Sequence, residues 1–136
     1  MSTENQEVLR LVIEEGFNRG NYEALDPLFA VGYQEHQFGL GQTLEGFKRD
    51  IRYLRAAFPD LHLSIEDMVA VDDKVWVRMT AHGTNLGPMF GPPTGKAITI
   101  AVFDVCRFED GRIVEHWGVP DRFALMAQLD QLPTVS

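Results

Sequence analysis

The sequence is poor in cysteine and in positive charge. Its 136 residues include one cysteine, Cys106, which excludes an intrachain disulfide and a thiolate metal cage. Lys and Arg number 12 against 20 Asp and Glu, for a formal net charge of −8, and no basic run is longer than two residues. Because nucleic acids and anionic membranes bind clustered cations, we expect neither as a partner.

Long apolar runs are also missing. No stretch approaches the roughly 20 residues that span a bilayer. The first six residues are polar and acidic, unlike the apolar segment of a signal peptide. Together with the lone cysteine, these absences predict a cytoplasmic protein.

The apolar content is nevertheless sufficient for one core, since 45% of the residues are hydrophobic. The length predicts a single domain over residues 1–136. The strongest helical periodicity comes from five apolar residues, Leu44, Phe47, Ile51, Leu54 and Phe58. We expect Thr43 to cap this helix and Pro59 to end it. A helix ending at Gly20, a short helix after Asn21 and a strand over 32–37 are predicted to precede it.

The second half of the chain alternates apolar and polar residues with a period of two. This pattern predicts four strands, over residues 61–71, 74–83, 96–108 and 112–119. A loop rich in Gly and Pro over 84–95 separates the second from the third, and a helix over 121–132 closes the chain. Helices followed by a meander of strands indicate the α+β class, and the lack of βαβ units argues against a dinucleotide-binding fold.

The predicted strand over 96–108 carries few charges on either face. A monomeric antiparallel sheet normally leaves one face in water. We therefore predict that helices cover one face and that a second subunit covers the other, forming a homodimer through the outer sheet face. Phe103 and Val105 are expected to face the partner.

Several motifs occur together in the order typical of one known family. The segment EHWGVPD at 115–121, followed by LMAQL at 125–129, resembles the C-terminal signature of the SnoaL-like polyketide cyclases and ester cyclases. Four further segments fit the same family, at 58–61, 78–84, 92–96 and 107–113. The resemblance therefore extends over most of the chain.

This resemblance implies a nuclear transport factor 2-like fold, in which a curved antiparallel sheet wraps over three N-terminal helices as a cone with a deep pocket and a short C-terminal helix. It also implies closure of a polyketide ring by intramolecular aldol condensation, without metal or cofactor. The sequence agrees with the absence of a metal site, because its four histidines lie on four different segments and form no i, i+4 ligand pair.

The same resemblance makes Asp121 the acid/base of the reaction. An aldol closure removes a proton alpha to a carbonyl and later protonates the new alkoxide, and one carboxylate can perform both steps. The alternative interpretation is structural, because an Asp directly after Pro120 at the start of a helix is a good N-cap. The two roles are not exclusive.

Two further residues are candidates for catalysis. Asp104 is the lone charge on an apolar strand face and is either a pocket acid or a buried carboxylate with a structural partner. His36 lies on the first predicted strand, where relatives often place a polar pocket residue, and the alternative is a surface histidine. We expect His116 to be structural or to lie at the subunit interface.

The sequence does not decide which face of the strand over 74–83 lines the pocket. Patterning alone makes its apolar face, which carries Met79, the core face. The resemblance instead turns Trp76 and Arg78 toward the pocket, where Arg78 would hold Asp104 or an enolate oxygen.

The remaining predicted contacts with substrate are apolar. Trp117 is expected to wall the pocket, Ile100 and Val102 share the strand face of Asp104, and Phe90 belongs to a loop that would cover the pocket. The leading hypothesis is thus a cofactor-free enzyme acting on a mid-sized apolar carbonyl compound. The alternative is a non-catalytic small-molecule binding protein. An enzyme would show two or more ionisable groups converging on one point of the pocket, whereas a binding protein would show an apolar cavity with Asp121 turned away as a cap.

Overall fold

The computed structural model describes residues 2–132 of the chain. Its helices are α1 (Ser2–Leu11), a π-helical continuation (Val12–Asn18), a 3-10 helix (Tyr22–Leu28), α2 (Leu44–Ala57) and α3 (Arg122–Gln128). Its strands are β1 (Phe29–Glu35), β2 (His62–Val71), β3 (Lys74–Thr84), β4 (Ala97–Glu109) and β5 (Arg112–Pro120). No helix within 2–132 is long and apolar enough to cross a membrane.

The five strands form one curved, unclosed sheet in the order β1-β5-β4-β3-β2. The predicted α+β class is confirmed, and strands β2 to β5 are antiparallel neighbours as expected. The expected antiparallel sheet has an exception at one edge, where β1 runs parallel to β5. A parallel pair needs a long crossover connection, and α2 with strands β2 to β4 provides it.

The alternation of β3 divides the sheet into an inner and an outer face. Val75, Val77, Met79 and Ala81 are buried on the inner face, whereas Trp76 and Arg78 are exposed on the outer face. The helices cover the inner face, and buried Phe47 and Ile51 of α2 belong to the same apolar core as the inner β3 residues. The core therefore lies between the sheet and the helices.

Two element boundaries differ from the prediction by three or more residues. The first strand begins at Phe29 rather than at residue 32, because Phe29 already pairs with Ile113 of β5. The last helix ends at Gln128 rather than at Leu132, and Asp130, with a φ of 56°, takes a left-handed conformation just beyond it.

The N-cap of α2 gives a direct test of the predicted helix start. Thr43 Oγ1 accepts a hydrogen bond from Gly46 N at 3.0 Å. Thr43→Ala removes this acceptor and should lower the free energy of unfolding by about 1 kcal/mol. Thr43→Ser keeps the hydroxyl and should cost much less. Urea denaturation of the two variants checks this, and equal losses would contradict the role of the cap.

Candidate active site

A cavity of about 350 Å³ lies between α2 and the inner face of the sheet. This volume falls within the range of small-molecule sites. Its walls are mostly apolar and come from both layers, for example Phe47, Ile51 and Leu54 of α2 and Leu63, Met79 and Ile98 of the sheet. The cavity can therefore hold a compact, largely apolar molecule.

One part of this apolar wall is polar, where His116 lies between two carboxylates. His116 Nδ1 is 2.6 Å from Glu35 Oε2, and His116 Nε2 is 3.4 Å from Asp104 Oδ2. All three side chains are buried or nearly so, with exposed fractions of 7% for His116, 0% for Glu35 and 12% for Asp104. Asp104 and His116 line the cavity, and Glu35 lies behind His116.

Strand register brings these three residues together. Glu35 of β1 is the register partner of His116 of β5, and Asp104 of β4 pairs with Gly118, two residues beyond His116. Because side chains two residues apart share a face of a sheet, His116 and position 118 both face inward. The parallel pairing of β1 with β5 is what places Glu35 at this point.

Glu35 holds its position through three hydrogen bonds. Besides His116, the Tyr33 hydroxyl donates to Oε1 at 3.3 Å and the Gln37 backbone N–H donates to Oε2 at 3.0 Å. Burial, followed by the charge of Glu35, raises the pKa of Tyr33, so the hydroxyl remains a donor. A buried carboxylate with three donors is well compensated for the loss of water.

The charge of His116 follows from the two carboxylates. Burial alone lowers the pKa of an imidazole because apolar surroundings disfavour the cation. Here Asp104 and Glu35 outweigh burial and raise the pKa of His116 from 6.5 to about 10. His116 is therefore a cation at neutral pH, and both of its ring nitrogens are donors.

Asp104 keeps one oxygen free. Oδ2 faces His116, whereas the buried Oδ1 has no hydrogen-bond partner among residues 2–132. Gly118 makes room for it, because a β-carbon at position 118 would collide with both Asp104 Oδ1 and Gln37 Oε1. The Gln37 side chain also lines the cavity. A free carboxylate oxygen, an imidazolium and a carboxamide thus converge on one part of the cavity.

Four of the predicted site residues line this cavity: Asp104, Ile100, Val102 and Phe90. The first three project from the inner face of β4, as the alternation of that strand predicted. Phe90 lies in the loop between β3 and β4, with a φ of 59° and a half-exposed side chain.

The structure places four other predicted site residues outside the cavity, on the outer face of the sheet. Arg78 binds Asp67 there, with Nε 2.7 Å from Oδ2, and Trp76 lies beside it in a shallow groove that also contains Trp117. His36 stacks on Trp117 with ring centroids 4.8 Å apart. The patterning of β3 was the better guide, since Met79 and not Arg78 faces the cavity. Trp117 points outward because its neighbour His116 points inward.

Asp121 has the geometry of the helix cap. Its side chain is exposed, and Oδ1 accepts a hydrogen bond from Ala124 N at 3.0 Å. It is absent from the cavity wall, although Pro120 before it and Arg122 after it both belong to that wall. The strand ends at Pro120, so the period of two that would align Trp117 with Asp121 does not continue.

Sequence reasoning overlooked Glu35 and Gln37 and misplaced His116. Glu35 and Gln37 follow the alternation that begins at buried Tyr33, but flanking polar residues conceal that pattern. The signal for His116 was its position two residues before Gly118, opposite Asp104 in a predicted hairpin. Within residues 2–132, no group of three or more His, Cys, Asp or Glu side chains is arranged to hold a metal ion.

Comparison with known proteins identifies the family. The model of the SnoaL-like polyketide cyclases matches residues 7–129, and the chain belongs to this family. No curated protein gives a significant sequence match.

Solved structures agree with this assignment. TsrD from Streptomyces laurentii is 28% identical over 97% of this chain and 98% of its own, with a TM-score of 0.88. IdmH from Streptomyces antibioticus is 31% identical over 93% of this chain and 98% of its own, with a TM-score of 0.83. A protein from Acidithiobacillus ferrooxidans, provisionally named a polyketide cyclase, is 31% identical over 98% of this chain and 99% of its own. Its TM-score is 0.85.

A more distant structure, from Catenulispora acidiphila, is described as having a ketosteroid isomerase-like fold. It is 16% identical over 93% of this chain and 98% of its own, with a TM-score of 0.76. At that identity the likeness concerns the fold alone. The predicted nuclear transport factor 2-like architecture is confirmed.

The raised pKa of His116 predicts how stability depends on pH. In the unfolded chain His116 loses its proton above its ordinary pKa of 6.5, whereas in the folded protein it keeps the proton up to about 10. The stabilisation is therefore complete below pH 6.5 and is lost as pH rises toward 10. Between pH 6.5 and 9.0, the free energy of unfolding should fall by up to about 1.4 kcal/mol per pH unit. The range ends at 9.0 because this is the ordinary pKa of a cysteine thiol, and above it the buried Cys106 also contributes to the pH dependence.

Urea denaturation across this pH range measures the slope. His82→Gln is the matched control, because His82 is exposed, and it should keep the wild-type slope. His116→Gln should abolish most of it. A wild-type stability that stays level from pH 6.5 to 9.0 would contradict a charged His116.

Proposed function

We propose that this protein is a cofactor-free cyclase that enolises a mid-sized, largely apolar carbonyl compound. The observation that carries the proposal is the convergence of Asp104, His116 and Gln37 on one part of an otherwise apolar cavity. Side chains of this kind supply a base, a fixed positive charge and a hydrogen-bond donor. Aldol closure needs these three functions and no redox chemistry.

Asp104 is the general base in this proposal. Its free Oδ1 takes a proton from the carbon alpha to a carbonyl, and the electron pair of that C–H bond moves into an enolate. The enolate carbon then attacks a second carbonyl of the same molecule and forms the new C–C bond. The resulting alkoxide recovers the proton from Asp104, so the enzyme returns to its starting state.

His116 and Gln37 assist without exchanging protons. The His116 imidazolium holds Asp104 Oδ2, so Oδ1 is the oxygen that remains to act as the base. It also places a positive charge near the forming enolate, in a region from which water is largely excluded. The Gln37 carboxamide has no other hydrogen-bond partner among residues 2–132 and can donate to the enolate oxygen.

The other predicted residues take simpler roles. Ile100, Val102 and Phe90 provide apolar contacts for the substrate. The role proposed for Asp121 is the helix cap, which its hydrogen bond to Ala124 supports. The free, buried thiol of Cys106 fits a reducing compartment, which supports the cytoplasm as the place of action.

The outer face of the sheet is the proposed homodimer surface. It carries several large apolar side chains that water can reach, among them Phe103, Trp76 and Val119 with exposed fractions of 54%, 49% and 70%. Apolar patches of this kind are rare on the surface of a monomer. A second copy of the same face would cover them.

The catalytic role of Asp104 can be tested before the natural substrate is known. A simple aromatic ketone such as 2-tetralone should exchange its alpha protons for deuterium faster with the protein than in buffer, as NMR can follow. Asp104→Asn keeps the shape but cannot accept the proton, and it should slow the catalysed exchange by about 100-fold or more.

Asp121→Asn is the matched control for this experiment. The carboxamide oxygen still caps α3, so stability should change by less than about 1 kcal/mol and exchange should continue. Catalysed exchange that survives Asp104→Asn, or that disappears in Asp121→Asn, would reject Asp104 as the base. Protein that accelerates no exchange of any ketone it binds would favour the non-catalytic binding protein.

The dimer surface gives a separate prediction. Light scattering of the wild type should return twice the 15.4 kDa of one chain. Phe103→Asp places a charge in the proposed interface and should give monomers that remain folded by circular dichroism. Leu86→Asp, at an equally exposed position in a loop outside the sheet, should remain dimeric. Wild-type protein at 15.4 kDa would refute the interface.

A further inference from the structure

The cavity opens to solvent beside an arginine that has no hydrogen-bond or ion-pair partner within residues 2–132. The exposed members of the cavity wall define its mouth. They are Gly39, Tyr53, Phe90 and Arg122. Arg122 is the only Lys or Arg among the described residues of that wall. Its Nη1 lies over Gly39, where an added β-carbon would be 4.0 Å away.

The lack of an ion pair is not unique to Arg122, since Arg112 also forms none among residues 2–132. What distinguishes Arg122, in a chain with a net charge of −8, is its place at the cavity mouth. Arg19, Arg78 and Arg107 each have a carboxylate oxygen within 2.9 Å. Arg122 forms no hydrogen bond or ion pair with any residue of 2–132. Its guanidinium therefore retains its full set of donors at the entrance of an apolar cavity.

The carboxylates that share the cavity wall are already engaged. Asp50 Oδ2 accepts the Gly41 backbone N–H at 2.8 Å, and Asp104 faces the imidazolium of His116. Neither forms an ion pair with Arg122 in the described part of the chain. The positive charge at the mouth is therefore available to a ligand.

We propose that Arg122 binds the carboxylate of the substrate, which makes the substrate class an apolar keto acid. Guanidinium and carboxylate form paired, charge-assisted hydrogen bonds, and the apolar rim of Phe90 and Tyr53 strengthens them by limiting access of water. The acid group would lie at the mouth, the rings along the apolar walls and the ketone at Asp104. This inference rests on the proposed use of the cavity for a carbonyl compound.

Two probes of almost the same shape test the inference. 2-Naphthoate carries a carboxylate, whereas methyl 2-naphthoate is uncharged. Calorimetric titration at neutral pH should show the acid binding about tenfold or more tightly than the ester. Arg122→Gln should lower the affinity for the acid to that for the ester and leave the affinity for the ester unchanged.

Arg112→Gln is the control for the loss of one positive charge, because Arg112 is exposed at the start of β5 and outside the cavity wall. It should leave the affinity for both probes as in the wild type. The proposal is overturned if acid and ester bind equally, if Arg122→Gln leaves the acid unaffected, if Arg112→Gln weakens it as much, or if the wild type binds neither probe at millimolar concentration.

This binding experiment is independent of the exchange experiment with Asp104→Asn. If the protein prefers the acid and needs Arg122 to do so, but shows no exchange that depends on Asp104, the anion site is supported and the catalytic proposal is refuted. The opposite result would leave an enolising enzyme whose substrate carries no acid group at the mouth.

Discussion

The buried pair of Glu35 and His116 joins the first strand of the sheet to the last. Glu35 is fully buried and His116 nearly so, and each would be costly to bury alone. Asp104 and Glu35 together set the charge of the imidazole, and that charge in turn fixes one oxygen of Asp104. The shape of the polar end of the cavity, and the place of β1 beside β5, both depend on this pair.

The remainder of the cavity has the opposite character, and the contrast determines what the site can do. Leucine, isoleucine and phenylalanine side chains line the space in front of Asp104. Electrostatic interactions between nearby charges are only weakly screened in apolar surroundings. A few polar groups can therefore act on one atom of a ligand whose remaining surface lies mostly against apolar side chains.

The strands, α2 and the inner face of β4 were predictable from the sequence because each follows a strict period. The edge pairing was not, since parallel neighbours leave no local signal and β1 is short and partly polar. The site was predictable only in part. Asp104 was evident as a charge among apolar residues, whereas His116 looked structural because its partners, Glu35 and Asp104, are brought to it by register. Asp121 lies outside the cavity wall although the family motif points to it, because the strand ends at Pro120 and the side chain caps α3.

The parallel edge has a consequence for how the chain folds. Glu35 and His116 are 81 residues apart in sequence, and their contact closes a loop that contains most of the protein. Loop closure of that kind is slow, and it comes late in folding relative to the hairpins it encloses. The cavity walls can therefore form before β1 brings Glu35 to His116. Only a chain whose first strand has docked against β5 has the complete polar group.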